Sequence, residues 1–434
     1  MKLGPLRGPI DEARNASRRF RHRLARVPSK VRGLISTPQS ILLPILVAIR
    51  EQRLSTRPSL RLGVDIRAFY EPLTGVGWYL HALLTELAKE PDLELVYFGA
   101  SLIDGESPRL HIDLPPGRLV AFHFRESGPG RWAAFLARAL FPVLISAQKC
   151  DVLFGPNYFL PGPMAATAGK RVVTIHDLTF RRHPEMLQQE TLDNLNREMK
   201  RELFRADAAI CVSRATRRDL LEFFDIDPAR AIAIHSGVPP VSSSRTPVPG
   251  LPARFVLFVS TIEPRKNLTT LIRAFDLLRR QHGYQGSLVI VGRIGWKAGA
   301  VLEEMKQSQS SPSIVHLDYL DRSQLNEVYS RAEVFVFPSW YEGFGFPLLE
   351  AMAHGVPTIA ARSSSLPEIG GQAASYFNPG SVDQLVEQLS RVISDPELRQ
   401  RMIREGHTQV RKFQWSNTAR QTLDVFRRVA RSDL

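Results

Sequence analysis

Cysteine is almost absent from this sequence of 434 residues. The two that occur, Cys150 and Cys211, stand far apart, with no CxxC pair and no Cys/His spacing around them. These absences exclude a disulfide framework and a zinc site of the usual spacing. We therefore expect a protein of a reducing compartment, the cytoplasm.

The sequence also lacks a long uncharged apolar run. The segment ILLPILVAI at 41–49 is short and contains Pro44, whereas about 20 apolar residues are needed to span a bilayer. The longer stretch WAAFLARALFPVLISA at 132–147 carries Arg138 inside it, which is typical of a packed helix. We therefore expect no transmembrane helix.

Positive charge is concentrated in an N-terminal arm. Residues 1–60 hold 13 Lys and Arg against 3 Asp and Glu, so the arm carries +10 of the net charge of +14. No RNA- or DNA-binding motif accompanies it, and we expect no nucleic-acid partner. Two interpretations are open: the arm lies on an anionic membrane surface, or it is a disordered basic arm whose apolar patch packs on the body of the protein. A transit peptide is a third, which Asp11 and Glu12 weaken.

Short apolar runs alternate with helical patterns from residue 60 onward. Buried strands separated by helices predict a parallel sheet covered on both faces. The length of the chain favours two such domains. We expect an α/β protein with a first domain at 61–240, a linker rich in proline and serine at 241–253, and a second domain at 254–410.

Two candidate sites follow strands of the first domain, where ligands of such sheets bind. Gly75 and Gly77 come after the strand GVDI and directly before a predicted helix, so backbone amides there can approach a phosphate. An ordinary turn is the simpler interpretation of these glycines. His176 follows the strand RVVTI and would face a cleft, where it could bind a sugar hydroxyl or polarise a leaving group. A purely structural histidine is the alternative.

A third candidate is the loop TIEPRKN in the second domain, which provides Arg265 and Lys266 just after a strand. Two adjacent cations beside a helix N-terminus suit a diphosphate, because the guanidinium offers a planar fork and the ammonium a point charge. We expect Asn267 to cap the helix behind them. The alternative is a solvated basic turn.

The fourth candidate is the stretch SWYEGFGFPLLEAMAHG, which has two carboxylates eight positions apart. Glu342 is predicted in the loop after the strand VFVFPS, and Glu350 on the first turn of the next helix, which Pro347 suits. Gly343 and Gly345 free the backbone to turn its amides toward a ligand. Paired carboxylates also suggest a glycoside hydrolase, but a hydrolase has no use for the cationic pair and the glycine loop. A helix-capping acid and an exposed loop acid are the structural alternatives.

Together these motifs resemble the retaining glycosyltransferases of family 4, which have the GT-B architecture. The resemblance rests on the Glu-x7-Glu element from Glu342 to Glu350, the PRKN loop, the GVG loop, the HD pair at His176 and the segment HGVPTIAARSSSLPEI. They follow the family's order over about residues 61–430. The GT-B fold implies two Rossmann-like domains that face a central cleft, the acceptor on the first and the donor on the second. It also implies a C-terminal helix at 411–434 that crosses back to the first domain.

The resemblance implies how the donor's nucleotide is held. Arg265 and Lys266 would bind its diphosphate, assisted by the backbone amides of Gly75 and Gly77. Glu350 would accept hydrogen bonds from the ribose hydroxyls. We expect no cofactor and no metal, since the two cations already supply positive charge.

The family's sugar site maps onto the remaining motifs. His176 and Glu342 would lie nearest the reacting centre, and the base would lie against the segment HLDYLD at 316–321. The backbone amides that would contact the donor sugar belong to Gly343, Phe344, Gly345 and Phe346. One Asp-x-Asp also occurs, from Asp225 to Asp227, but Pro228 directly after it predicts a turn rather than a metal site.

The leading hypothesis is therefore a retaining hexosyltransferase of polysaccharide or glycoconjugate synthesis. Its donor would be a nucleotide-diphosphate sugar and its acceptor a saccharide, free or lipid-linked. The stretch GRIGWKAG at 292–299 resembles mannosyltransferase-like members, which favours GDP-mannose. The alternatives are a GT-B nucleotide-sugar epimerase and a non-catalytic scaffold that binds nucleotide sugars. With the arm at 1–60 on a membrane, the enzyme would be cytoplasmic and peripheral on the inner membrane.

Overall fold

The chain folds into two sheets with helices around them. The computed structural model describes residues 45–50, 59–70, 73–103, 110–125, 141–167, 169–239, 241–242 and 244–434. The strands in these ranges are β1 (Ile45–Arg50), β2 (Leu60–Asp65), β3 (Leu93–Ile103), β4 (Arg118–Arg125), β5 (Val152–Gly155), β6 (Lys170–Ile175), β7 (Ala208–Cys211), β8 (Ala231–Ala233), β9 (Phe255–Val259), β10 (Ser287–Val291), β11 (Ile314–Leu317), β12 (Val334–Phe337), β13 (Thr358–Ala361) and β14 (Ala374–Phe377). The named helices are α1 (Gly75–Leu87), α2 (Gly162–Ala165), α3 (Thr179–Arg182), α4 (Gln189–Arg205), α5 (Arg214–Phe223), α6 (Leu268–His282), α7 (Gly299–Gln307), α8 (Arg322–Arg331), α9 (Phe346–Ala353), α10 (Leu366–Gly370), α11 (Val382–Ser394), α12 (Pro396–Val410) and α13 (Trp415–Arg431).

The first sheet has the strand order β1-β4-β3-β2-β5-β6-β7-β8. All neighbours pair in parallel except β1, which runs antiparallel along β4, with Ile45 opposite Phe124 and Arg50 opposite Leu119. Strands such as β5 and β7 are buried at every position, as expected for continuous apolar runs covered on both faces. The β1 pairing places part of the apolar patch of the N-terminal arm on the body of the protein, as one interpretation expected. Residues 1–44 and 51–58 lie outside the described ranges.

The second sheet has the order β11-β10-β9-β12-β13-β14, and all its pairs are parallel. The α/β prediction with two parallel-sheet domains is therefore confirmed. Two strands, β11 and β14, were not predicted because their short sequences, IVHL and ASYF, contain polar residues and are only partly buried. They lie at the two edges of the sheet, where one side of a strand needs no partner.

The C-terminal helix returns to the first domain, as predicted. On α13, Ala419, Leu423 and Phe426 are buried at helical spacing. The ring of Phe426 lies 5.1 Å from that of Phe154 on β5, and Trp415 at the helix start lies 5.7 Å from Tyr79 on α1. The apolar face of this helix thus packs on the first domain. The exact domain bounds given above stay a prediction.

Two further expectations concern apolar and acidic segments. Of the predicted packed helix at 132–147, residues 141–147 are helical and residues 131–140 lie outside the described ranges. Asp227 accepts a hydrogen bond from the amide of Ala229 at 2.8 Å just before β8, which confirms the predicted turn. Across the described residues, no helix combines the length and the apolar content needed to cross a bilayer.

Candidate active site

The predicted cationic pair forms a buried ionic cluster with Glu342. The Nζ of Lys266 lies 2.6 Å from Oε1 of Glu342, and Nη1 of Arg265 lies 2.9 Å from Oε2. The three side chains are 9%, 15% and 9% exposed for Lys266, Arg265 and Glu342. Burial alone would raise the pKa of Glu342, but the two cations overcome it and hold this pKa at about 2. Glu342 is therefore ionised and serves as the shared counterion of both cations.

Glu263 completes the cluster and was missed in the sequence analysis. Its Oε1 lies 2.7 Å from Nη2 of Arg265, and the residue is 1% exposed. Burial raises the pKa of Glu263, whereas burial and the neighbouring Arg265 lower the pKa of Lys266. Glu263 stands in the motif TIEPRKN, two positions before Arg265. Its presence beside two cations does not by itself indicate which of the two it pairs with.

A short 3-10 turn presents the two cations. It spans Pro264–Lys266 and follows β9. Asn267 was expected to cap α6 with its side chain, and this prediction is wrong: the residue takes a left-handed conformation with φ +55° and makes no side-chain cap. Its Nδ2 instead donates to the carbonyl oxygens of Pro338, at 3.0 Å, and Pro379, at 2.8 Å. Asn267 thus ties the cation turn to the end of β12.

Glu350 lies on α9 and is held by different partners. Pro347 is in the first turn of α9, as predicted, while Glu350 is the fifth residue and so lies one turn later than expected. Its carboxylate accepts a hydrogen bond from Nη1 of Arg322 at 2.7 Å and one from the hydroxyl of Tyr329 at 3.2 Å. The two glutamates of the Glu-x7-Glu element therefore have separate cationic partners, and neither Arg322 nor Tyr329 had been singled out from the sequence.

The glycine loop between the glutamates meets the first domain directly. A Cβ built on Gly343 would overlap the backbone carbonyl oxygen of His176, so only glycine allows this approach. The carbonyl of Gly343 also accepts a hydrogen bond from the Thr216 hydroxyl at 3.1 Å. Gly345 has a φ of +109°, which favours glycine where the chain enters α9. The loop thus brings the predicted sugar-facing backbone against the predicted histidine.

His176 is a neutral imidazole oriented by a backbone group. Its Nε2 lies 2.8 Å from the carbonyl oxygen of Pro156. A carbonyl can only accept, so Nε2 carries the proton and Nδ1 is the nitrogen able to accept a hydrogen bond. Burial lowers the pKa of His176, and Tyr79 packs edge-on with its centroid at 4.9 Å. Nδ1 can therefore accept a hydrogen bond from a hydroxyl group while the ring stays neutral.

The rings of Phe344 and Phe346 pack against other aromatic rings, Phe344 buried and Phe346 partly buried. Phe344 is 5% exposed, with its centroid 4.9 Å from that of Phe346 and 5.8 Å from that of Phe413. Phe346 stacks on Trp415, with centroids 6.4 Å apart. The buried ring of Phe344 leaves only the backbone of that residue for the predicted sugar contact.

Gly75 and Gly77 belong to the helix that they were expected to precede. They are the first and third residues of α1, whose N-cap Thr74 makes no side-chain cap. Their amides are therefore first-turn donors, which suits an anion. A Cβ on Gly77 would lie 2.7 Å from Leu73 Cδ2, whereas one on Gly75 would meet open space. No hydrogen bond links either glycine to Arg265 or Lys266 in the described parts of the chain.

The GRIGWKAG stretch of the second domain makes hydrogen bonds to the first domain. Nε1 of Trp296 donates to the carbonyl of Met186 at 2.9 Å, and Nζ of Lys297 donates to the carbonyls of Glu185 at 2.8 Å and Leu187 at 2.6 Å. The acceptors belong to the first domain, so this loop of the second domain is hydrogen-bonded to the first. In the segment at 316–321, Asp321 caps α8 in a capping box. The predicted base contact of this segment stays a prediction.

Over the residues that the structure describes, no group of three or more His, Cys, Asp or Glu side chains has the arrangement of a metal site. What the geometry provides is a buried pair of cations with fixed counterions, a neutral histidine and a glycine loop between two domains. Preorganised charges of this kind stabilise negative charge that develops on a leaving group.

Comparison with known families agrees over most of the chain. Residues 73–241 match the family described as Glycosyltransferase Family 4, and residues 233–409 match Glycosyl transferases group 1. The O-antigen chain mannosyltransferase B of Escherichia coli is 28% identical over 382 residues, which is 82% of this chain and 96% of that protein. The serotype-specific mannosyltransferase WbdA of E. coli is 28% identical to this chain. The matched region covers 64% of this chain and 36% of WbdA.

Solved structures share the fold at lower identity. Sucrose-phosphate synthase from Thermosynechococcus elongatus superposes with a TM-score of 0.68 at 21% identity, over 86% of this chain and all of that one. HepE from Anabaena, solved with UDP and glucose, gives 0.63 at 16% identity, over 84% of this chain and 99% of its own. These likenesses support the GT-B architecture, and the two family matches cover both domains. The chain therefore belongs to the family 4, group 1 glycosyltransferases.

Proposed function

We propose that this glycosyltransferase moves mannose from GDP-mannose to a saccharide acceptor, with retention at the anomeric carbon, in the synthesis of a polysaccharide or glycoconjugate. The observation that carries the proposal is the buried cluster of Arg265 and Lys266 with Glu342, placed after β9 and facing the glycine loop. The choice of mannose is supported by a relative that covers 82% of the chain and is named a mannosyltransferase.

In this proposal, the two cations bind the donor's diphosphate. Glu342 and Glu263 hold them in place before the donor arrives, so little reorganisation is needed when the leaving group gains charge. The first-turn amides of α1 add donors at a positive helix end. Because these groups already supply positive charge at the diphosphate, we propose that the reaction needs no metal ion. The expected result is a rate of nucleoside diphosphate release that a chelator leaves unchanged.

The sugar lies, in the same proposal, between His176 and the glycine loop. Nδ1 of His176 accepts a hydrogen bond from a hydroxyl of the sugar, and the amides from Gly343 to Phe346 donate to its other hydroxyls. The acceptor attacks on the leaving group's own face, and the leaving phosphate takes the acceptor's proton. Glu342 orients the cations and stabilises positive charge at the anomeric carbon.

A panel of donors tests the activity. The full chain is incubated with GDP-mannose, UDP-glucose and other nucleotide sugars, each with a free saccharide and with a saccharide on a lipid anchor, and nucleoside diphosphate release is followed. We expect the fastest release from GDP-mannose, and only with an acceptor. Sugar interconversion without an acceptor would indicate the epimerase instead. Donor binding without any turnover would indicate the scaffold.

Glu350→Gln is expected to weaken binding of GDP by about tenfold, or ~1.4 kcal/mol. A carboxylate accepts from both ribose hydroxyls, whereas the amide of glutamine offers a single, uncharged acceptor. The measurement is the Kd of GDP by titration calorimetry.

Glu304→Gln is the matched control for that change. It removes the charge of a second-domain glutamate that pairs with Arg273 at 2.8 Å on the surface, and its Kd should equal that of the wild type. An unchanged Kd in Glu350→Gln would remove Glu350 from the ribose site.

A further inference from the structure

Tyr341 reaches from the second domain into the first. It precedes Glu342 in the chain, yet its hydroxyl donates to Oδ2 of Asp219 on α5 at 2.6 Å. The same hydroxyl accepts a hydrogen bond from the backbone amide of Leu178 at 3.3 Å. Asp219 is 1% exposed, and its Oδ1 lies 2.7 Å from Nη2 of Arg182. The hydroxyl of Tyr341 is thus fully engaged by groups of the first domain.

The residues on both sides of Glu342 are fixed by these contacts. The carbonyl of Tyr341 accepts from Nη1 of Arg265 at 2.8 Å, so the backbone that Asp219 anchors also orients a cation of the cluster. On the other side, the carbonyl of Gly343 accepts from Thr216, which like Asp219 lies on α5. One helix of the first domain therefore holds the loop of the second domain at two points.

The hydrogen bond from the Tyr341 hydroxyl to Asp219 is strong, and the hydroxyl keeps the proton that it donates. A buried phenol that donates to an ionised carboxylate forms a short, charge-assisted bond. Burial and the hydrogen bond to Asp219 both raise the pKa of Tyr341, so the hydroxyl stays protonated. Arg182 balances the buried charge of Asp219, which would otherwise be costly.

We propose that Asp219, acting through Tyr341, is a positioning residue for the transfer reaction. It seats the loop from Tyr341 to Gly343 against the first domain, so that the sugar-facing amides reach their working positions only when the domains are together, while Glu263 and Glu342 hold Arg265 independently of this contact. This inference rests on the proposed function. It gives α5 a role in the reaction, although α5 lies outside the Glu-x7-Glu element.

The proposal predicts a loss in turnover rather than in nucleotide affinity. In Tyr341→Phe, the ring is kept and the cluster of Arg265, Lys266 and Glu342 stays intact, so the Kd of GDP should stay within about twofold. Because small misplacements of reacting groups are costly, kcat should fall by about tenfold or more with the donor that the wild type uses. Asp219→Asn keeps an acceptor for the hydroxyl and should retain more activity than Asp219→Ala.

The matched control is Tyr284→Phe. The Tyr284 hydroxyl also donates to a carboxylate, Oε2 of Glu333 at 3.0 Å, within the second domain, and Tyr284 is 5% exposed. Loss of this hydrogen bond should lower the Tm by about as much as Tyr341→Phe does, and should leave kcat unchanged. If kcat of Tyr341→Phe equals that of Tyr284→Phe, or if the Kd of GDP rises as much as kcat falls, the positioning role is wrong. A wild-type protein that turns over no donor would instead overturn the proposed function itself.

Discussion

Replacing Lys266 with alanine is expected to lower kcat/KM by at least about 100-fold, the usual cost of removing a preorganised charge at a leaving group. Lys266 is buried, and its Nζ lies 2.6 Å from Glu342. The change removes one of two proposed phosphate ligands and leaves the carboxylate of Glu342 with Arg265 as its remaining cation. The measurement is nucleoside diphosphate release over a range of donor concentrations.

A loss of stability must be separated from the loss of a ligand. Breaking a buried ion pair on one side costs about 3–5 kcal/mol where the remaining charge is uncompensated, and in this variant Arg265 alone must balance Glu342 and Glu263. The double variant Lys266→Met with Glu342→Gln removes both charges and should regain much of the Tm while staying inactive. If its activity returned with its Tm, Lys266 would be a structural residue.

Lys170→Ala is the control for losing a lysine ion pair. Nζ of Lys170 lies 3.0 Å from Asp207, and the lysine side chain is 36% exposed. It lies at the start of β6, at the opposite end of that strand from His176. Its kcat/KM should stay within about twofold of the wild type, since partly exposed pairs contribute little.

The meeting of Arg265, Lys266 and Glu342 was predictable, because the carboxyl ends of parallel strands lie at one edge of a sheet. Arg265 and Lys266 follow β9 and Glu342 follows β12, and these neighbours pair in parallel, so the sequence order of motifs and strands sufficed to bring the three side chains together. The partners were not predictable in the same way. Glu263 orients Arg265 and Asp219 anchors Tyr341, and hydropathy periodicity carries no information on such contacts.

Local conformations were less predictable than the sheets. The left-handed Asn267 looked like a helix cap because asparagine suits both roles, and tertiary hydrogen bonds to Pro338 and Pro379 decided between them. The start of α1 was misplaced because glycine is a poor helix former, although Gly75 and Gly77 occupy its first turn.

Gly343→Ala is expected to lower kcat by at least about 100-fold, because it separates the domains at the reacting centre. The added Cβ would overlap the carbonyl oxygen of His176 and lie 3.0 Å from Cβ of Asp177. A backbone carbonyl cannot move aside as a side-chain end can, so the loop and β6 must part. The hydrogen bond from Thr216 to Gly343 would then lengthen, and the amides after Gly343 would leave the sugar.

The same substitution should spare the two folded domains and GDP binding. Gly343 does not have a positive φ, so the obstacle is the contact between domains and not the local backbone. We expect a Kd of GDP within about threefold of the wild type and a larger radius of gyration by X-ray scattering. Gly299→Ala, where a Cβ meets nothing within 4 Å at the start of α7, should be neutral in all three measurements. Full activity in Gly343→Ala would show that the close approach to His176 is not needed for transfer.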